Sequence, residues 1–243
     1  MANTNYKLIL VLLSFFICSN SYAGNGLLGK KDRNEGVLTF GIGPAYLFGD
    51  VGGTTWQPLI GIEDLKIEYV NYLLSLEFRH YLLRNFGYRL AVQYTNLSGS
   101  DEGSRLAYRG YIFESTVIQA SLQLEYVFLN RENYWLYTFS GGGIAHSSSR
   151  LTGAPIRSND SWKPQETAPY VVIGAGIETR LSQRATLGLE INTNYYFSNY
   201  MEGIRTLHTA NNDVISGIML TFSYSIFGSG RINRNSCPCH WDK

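Results

Sequence analysis

The stretch Gln119-Ala120-Ser121-Leu122-Gln123-Leu124-Glu125-Tyr126-Val127-Phe128 decides how the chain folds. Ala120, Leu122, Leu124, Tyr126 and Phe128 fall on one side of an extended chain, and Gln119, Ser121, Gln123 and Glu125 on the other. Successive side chains of a strand point to opposite faces, so this period of two means a strand. One face is large and apolar. The other is small, polar or ionic.

The same alternation recurs on both sides of this stretch. From about Val37 to Phe48, Leu38, Phe40, Ile42, Tyr46 and Phe48 oppose Thr39, Gly41, Gly43 and Ala45. From about Tyr72 to Leu82, Leu74, Leu76 and Phe78 oppose Ser75, Glu77 and Arg79. From about Tyr88 to Leu97, Tyr88, Leu90, Val92 and Tyr94 oppose Arg89, Ala91, Gln93 and Thr95. The quoted strand itself runs from about Phe113 to Phe128. A fifth, about Tyr134 to His146, sets Trp135, Tyr137 and Phe139 against Thr138 and Ser140, with Gly141-Gly142-Gly143 loosening its register. About Tyr170 to Arg180, Val171, Ile173, Ala175 and Ile177 oppose Gly174, Gly176, Glu178 and Arg180. About Ala185 to Phe197, Leu187, Leu189, Ile191, Tyr195 and Phe197 oppose Gly188, Glu190, Asn192 and Asn194. About Val214 to Phe227, Ile218, Leu220, Phe222, Tyr224 and Ile226 oppose Gly217, Thr221, Ser223 and Ser225.

These segments predict an all-β fold: an eight-stranded antiparallel up-and-down barrel. In a membrane barrel the apolar set faces lipid and the small or polar set faces the lumen, the aromatics of the fifth strand included. The connections sort by length. Short ones lie near Arg84 to Gly87, Asn130 to Asn133 and Ser182 to Arg184; long ones lie near Gly49 to Ile67, Ser98 to Tyr111, Ser147 to Pro169 and Ser198 to Asn212. Short periplasmic turns and long outer loops are the outer-membrane arrangement. A soluble barrel with its apolar face inward is the alternative. Against it, the polar set is rich in Gly and Ser, and its acids and bases nearly balance. Gly217, Leu220 and Phe222 also carry the loose spacing of a terminal strand signal for barrel insertion.

Composition agrees with a lipid-facing sheet. Of 243 residues, 16% are charged, against about 25% in soluble domains. Aromatics make up 14%, with 18 Tyr, and these favour membrane–water interfaces. A net charge of +1 points to neither nucleic acid nor an acidic substrate. Residues 1–23 read as a signal peptide: Lys7, the apolar run Leu8 to Phe16, and Ser21-Tyr22-Ala23 before Gly24. The run is too short for a membrane helix, which needs roughly 20 residues. Cys18 raises a lipoprotein reading, but Phe15-Phe16-Ile17 lacks the small residue that such a site prefers. The expected organisation is then a periplasmic segment 24–36, the barrel 37–228 and a periplasmic tail 229–243. Only Cys237 and Cys239 remain after cleavage, which excludes a disulfide-stapled core.

The lumen-facing charges Glu77, Arg79, Arg89, Glu125, Glu178, Arg180 and Glu190 form a candidate interior network. A barrel of this size is filled by side chains, so they read as a salt-bridged plug rather than a proton or ion path. A catalytic rim would draw on His146, the serines at 147–149 and Glu166, but no spacing selects a mechanism, and no enzyme is expected. His80 sits at the periplasmic end with the lipid-facing set, His208 in the last outer loop and His240 in the tail. No cofactor is expected. The tail carries Arg231, Arg234, Cys237, Cys239, His240 and Trp241. Two thiols and an imidazole so close together, with Pro238 between the thiols, make a poor metal site. A disulfide, a mixed disulfide with a partner, a docking tail and a disordered end remain open.

Three segments carry a family resemblance. They are Phe40-Gly41-Ile42-Gly43-Pro44-Ala45-Tyr46-Leu47-Phe48-Gly49-Asp50, Phe113-Glu114 leading to Ser121-Leu122-Gln123-Leu124-Glu125-Tyr126, and Leu189-Glu190 through Tyr195-Tyr196-Phe197-Ser198-Asn199-Tyr200-Met201-Glu202. With Cys237-Pro238-Cys239 they resemble the PorG-type outer-membrane barrels of the Bacteroidetes type IX secretion system, over about Val37 to Cys239. The chain departs from that pattern where Tyr200-Met201-Glu202 replaces an acidic Asp-Tyr-Leu-Asp stretch, and in the residues after Cys239. The resemblance implies an outer-membrane scaffold that anchors periplasmic secretion proteins or lipoproteins. Arg231, Arg234, Cys237, Cys239 and Trp241 are the docking candidates. A free-standing barrel with an adhesive, lipid-organising or lipid-modifying outer rim is the other class.

Overall fold

The computed structural model describes residues 35–48, 71–83, 85–100, 110–131, 133–153, 160–182, 184–205 and 212–227. The expected signal peptide, most of the segment before the barrel, the first long loop, His208 and the whole tail from 229 lie outside these residues.

Among the described residues ten strands form: β1 Glu35–Phe48, β2 Tyr72–Tyr81, β3 Phe86–Ser100, β4 Tyr111–Asn130, β5 Tyr134–Gly153, β6 Ser161–Trp162, β7 Gln165–Arg180, β8 Ala185–Tyr196, β9 Ile204–Arg205 and β10 Val214–Phe227. Eight of them close a barrel in the order β1-β10-β8-β7-β5-β4-β3-β2, and β6 pairs with β9 apart from it. Every barrel pair is antiparallel, including β1 with β10, which closes the ring. Closure leaves no sheet edge, the condition for placing a sheet in hydrocarbon. β1 begins at Glu35 rather than Val37, and β10 runs over the expected Val214–Phe227.

The outward face is a continuous apolar belt. Phe40, Leu76, Leu90, Leu122, Ile173, Leu189 and Leu220 are all exposed on it. Leu122 is 57% exposed, while its neighbours Ser121 and Gln123 are buried. A water-soluble barrel would bury the first and expose the other two. The chain is therefore an outer-membrane β-barrel, with its short turns at the periplasmic end.

β4 and β5 are 20 residues each, about twice what a membrane crossing needs. Their outward positions change character above Ile118 and Ile144, to Thr116 and Glu114 on β4 and to His146, Ser148 and Arg150 on β5. The upper parts of both strands thus rise beyond the lipid as a paired wall, held as far as Tyr111 opposite Gly153. The expected outer loop from Ser147 to Pro169 is accordingly shorter: β5 continues to Gly153 and β7 starts at Gln165.

The fifth strand corrects the reading from sequence. Trp135, Tyr137 and Phe139 face the lumen and are buried, while Ser140 and Gly142 face outward. Register partners explain the inversion. Tyr137 lies opposite Gly176 and Phe139 opposite Gly174, so the neighbouring strand leaves room for both rings. The rings also cover the interior cations: the Arg79 guanidinium is 4.7 Å from the Tyr137 ring centre, and that of Arg89 is 4.1 Å from Phe139.

Candidate functional site: a sealed lumen

Strands β2, β3, β4, β7 and β8 each project ionic side chains into the periplasmic half of the lumen. Arg79 is 1% exposed and Arg89 fully buried. Arg79 grips Glu125 bidentately, Nε to Oε2 at 2.9 Å and Nη2 to Oε1 at 2.7 Å, and also donates to Glu178. Arg89 donates to Glu190 at 2.8 Å and 3.3 Å. It lies 3.1 Å from both Glu77 and Glu125. Phenol hydroxyls complete the cluster: Tyr81 donates to Glu125, and Tyr137 donates to Glu190 at 2.9 Å. The carboxylate of Glu178 also accepts from Thr186 at 3.3 Å and Ser223 at 3.4 Å. Fork-to-carboxylate pairing and shared hydroxyls are what make buried charge tolerable.

The structure thus brings together Glu77, Arg79, Arg89, Glu125, Glu178 and Glu190. It leaves out Arg180, which is exposed at the end of β7. The parity of Arg180 is that of Glu178, but its position is one step beyond the last interior layer. Its backbone N–H donates to Asn133 at the periplasmic rim, and its side chain reaches water there. The sequence reading missed Tyr81, Tyr137 and Phe139 as cluster members. The available signal was Gly174 and Gly176 on β7, glycines on an inward face.

Above the ions lies a polar layer. Gln119 donates to Gln93 at 2.7 Å and accepts from Tyr196 at 2.6 Å. Above that, the connection after β8 turns into the barrel mouth. Met201 and Ile204 are fully buried. The carbonyl of Met201 accepts from Ser115 at 2.6 Å and Ser149 at 3.2 Å, register partners side by side on the β4–β5 wall. The Met201 N–H donates to Asp213 at 2.8 Å. Gly203 takes φ of +83° to make the turn, and Ile204 then pairs opposite Trp162 in the small β6–β9 sheet. The described residues therefore fill the lumen from the ion cluster to this cap.

Strand parity separates His146 from two of the rim serines and from the acid considered for catalysis. His146 and Ser148 face outward, and His146 Nδ1 is 2.9 Å from Thr167 Oγ1. Ser147 and Ser149 face inward, and Glu166 pairs with Lys163 at 3.1 Å and accepts from Ser198 at 3.3 Å. His146 therefore meets neither the inward serines nor Glu166. His80, on the lipid-facing side, packs against Phe78 and Tyr88 with ring centres 6.5 and 5.4 Å away. The docking candidates Arg231, Arg234, Cys237, Cys239 and Trp241 lie outside the described residues.

A family model described as a domain of unknown function, DUF6089, matches residues 30–229, which span the whole barrel. The chain belongs to the DUF6089 family. No curated protein matches it. Among solved structures, the DUF6089 barrel is similar to Neisserial surface protein A, at 13% identity and a TM-score of 0.48, covering 80% of this chain and 99% of that one. It is similar to Ail, the attachment invasion locus protein of Yersinia pestis, solved with the heparin analogue sucrose octasulfate. That likeness has 10% identity and a TM-score of 0.44, covering 79% and 97%. It is also similar to the outer membrane protein OprG from Pseudomonas aeruginosa, at 11% identity and a TM-score of 0.43, covering 81% and 98%.

Proposed function

We propose that this DUF6089 barrel is a non-catalytic outer-membrane anchor, a scaffold component of a type IX secretion or gliding apparatus. The filled lumen carries the reading: ions and aromatics occupy the periplasmic half, and Met201 and Ile204 close the outer mouth. A shell filled in this way offers a partner its two ends and its wall rather than a passage. The resemblance of the first, fourth and seventh barrel segments to PorG-type barrels supports the secretion role. The tail supports the choice of end, since Arg231, Arg234, Cys237, Cys239 and Trp241 follow the last strand in the sequence. The test is a pull-down of the native barrel from envelopes, with and without residues after Gly230. Recovery of periplasmic lipoproteins that is lost on truncation, together with a secretion defect, supports docking. Unchanged recovery and secretion refute it.

A second reading is favoured by the projecting β4–β5 wall, whose outward Glu114, His146, Ser148 and Arg150 stand clear of the apolar belt. A free-standing barrel could use that wall for adhesion or for organising or modifying lipid. Loss of surface binding when the wall is cut back, with secretion intact, supports this reading over the first.

A further inference from the structure

We propose that the periplasmic rim of the barrel binds anionic phospholipid headgroups through Arg131, Arg180 and Arg184. This goes beyond the anchoring role and does not depend on it. The three residues are exposed and follow one another around the rim. Arg131 opens the β4–β5 turn, and its N–H donates to Tyr134 at 2.8 Å. Arg180 ends β7 and is tied to the same turn through Asn133. Arg184 closes the β7–β8 turn, and its carbonyl accepts from Ser225 of β10 at 2.8 Å. Ser182 Oγ accepts from the N–H of Ala185 at 3.0 Å and so holds the backbone between Arg180 and Arg184. The turns therefore fix where each guanidinium starts.

The charge of these arginines is not spent inside the protein. Arg79 and Arg89 meet carboxylates in the lumen, whereas among the described residues no carboxylate forms an ion pair with Arg131, Arg180 or Arg184. In sequence, segments 82–85, 131–133 and 180–184 at the short-turn end hold four arginines and one acid, Glu132. The long connections at the other end mix the two signs.

The surroundings of the arginines select lipid over a soluble partner. Leu82, Leu83 and Leu181 sit on the same turns and are 62%, 65% and 57% exposed. Just above them Phe86, Phe128, Tyr134 and Tyr224 are exposed on the outward face. An aromatic girdle of this kind marks a membrane–water interface. Leucines beyond the girdle keep the turns within the headgroup layer, so the guanidiniums start at the depth of the phosphates. Below the last interior layer no wall confines them, and long basic side chains reach along apolar surface to the interface. The guanidinium fork fits a phosphate through two parallel hydrogen bonds. A zwitterionic lipid supplies its own ammonium to that phosphate. An anionic one, such as phosphatidylglycerol, does not, so its charge is left for the rim.

The test places the mature chain, tail included, in nanodiscs of equal phosphatidylcholine and phosphatidylglycerol. Native mass spectrometry then reads the ratio of the two lipids retained on the released barrel. Wild type should be enriched in phosphatidylglycerol. Each rim arginine replaced should lower that enrichment roughly fivefold, the worth of one basic residue at an anionic surface. The variant combining Arg131→Gln, Arg180→Gln and Arg184→Gln should therefore lose it. A variant combining Arg150→Gln, Lys163→Gln and Arg205→Gln removes the same charge from the outer end and should keep it. Arg231 and Arg234 stay in every variant, so the tail cancels from the comparison. Wild type without enrichment overturns the proposal, as does an equal fall in the outer-end variant, which would mean diffuse charge. Enrichment unchanged in the rim variant also overturns it. If that variant nevertheless loses periplasmic proteins in the pull-down, the rim belongs to an acidic protein instead. Should the triple rim variant fail to fold, Arg184→Gln alone is read in the same way.

Discussion

Gly176 lies directly opposite Tyr137 across the β5–β7 seam, and the tyrosine ring occupies the space a side chain at 176 would need. A Cβ on Gly176 would sit 2.4 Å from Tyr137 Cζ and from its hydroxyl. Glycine here buys the ring's position, and the ring in turn places its hydroxyl on Glu190. Substituting Gly176 by Val should destabilise the barrel by about 1–3 kcal/mol through overpacking. Gly142→Ala, on the outward face of β5, should stay within about 0.5 kcal/mol. Urea unfolding in lipid vesicles measures both. Equal effects would mean that the β5 aromatics do not face inward.

Arg79 holds two carboxylates at once, so its loss leaves Glu125 with Arg89 alone and takes away the cation on Glu178. Arg79→Met should cost about 3–5 kcal/mol, the range for breaking one side of a buried ion pair. Adding Glu178→Gln should recover part of that loss, because the second change removes a charge that the first left unpaired. Equilibrium unfolding of the single and double variants checks the sign. A double variant weaker than Arg79→Met alone would contradict the pairing.

The outward belt is tested at mid-depth. Leu122→Arg should cost about 2–4 kcal/mol in a bilayer, as for a basic residue at the midplane. Ser148→Arg, on the same outward side but above the belt, should be close to neutral. Folding free energies in vesicles separate the two. A neutral Leu122→Arg would reverse the orientation of the whole sheet.

The outer cap depends on Gly203, which holds a positive φ and packs against Trp162 and Ser149. A Cβ there would lie 2.5 Å from Trp162 Cζ3 and 2.6 Å from Ser149 Cβ. Gly203→Val should strain the turn and release the cap while the barrel stays folded. Limited proteolysis between Ser198 and Arg205 should accelerate by about tenfold or more, equivalent to about 1.4 kcal/mol of local stability. Unchanged protection would show that the cap tolerates a β-branched residue.

The alternation of apolar and small or polar residues was readable in the chain because it is local: each strand carries its own period of two. For every barrel strand except β5, the face expected to meet lipid is the face that does. The interior ions were equally readable, since Glu77, Arg79, Arg89, Glu125, Glu178 and Glu190 share the inward parity of their strands. β5 misled because Trp135, Tyr137 and Phe139 are the larger apolar set there, and Gly141 to Gly143 erase the contrast farther along.

Sequence alone thus determined that the chain makes strands, how many close the ring, and which ionic groups lie on inward positions, because those depend on neighbours along the chain. Only the tertiary structure decided that the β5 aromatics turn inward, that Arg180 falls past the last interior layer, and that Met201 and Ile204 cap the mouth. These depend on what other strands place opposite. The room for Tyr137 comes from Gly176, 39 positions away in the chain, and no local period records it.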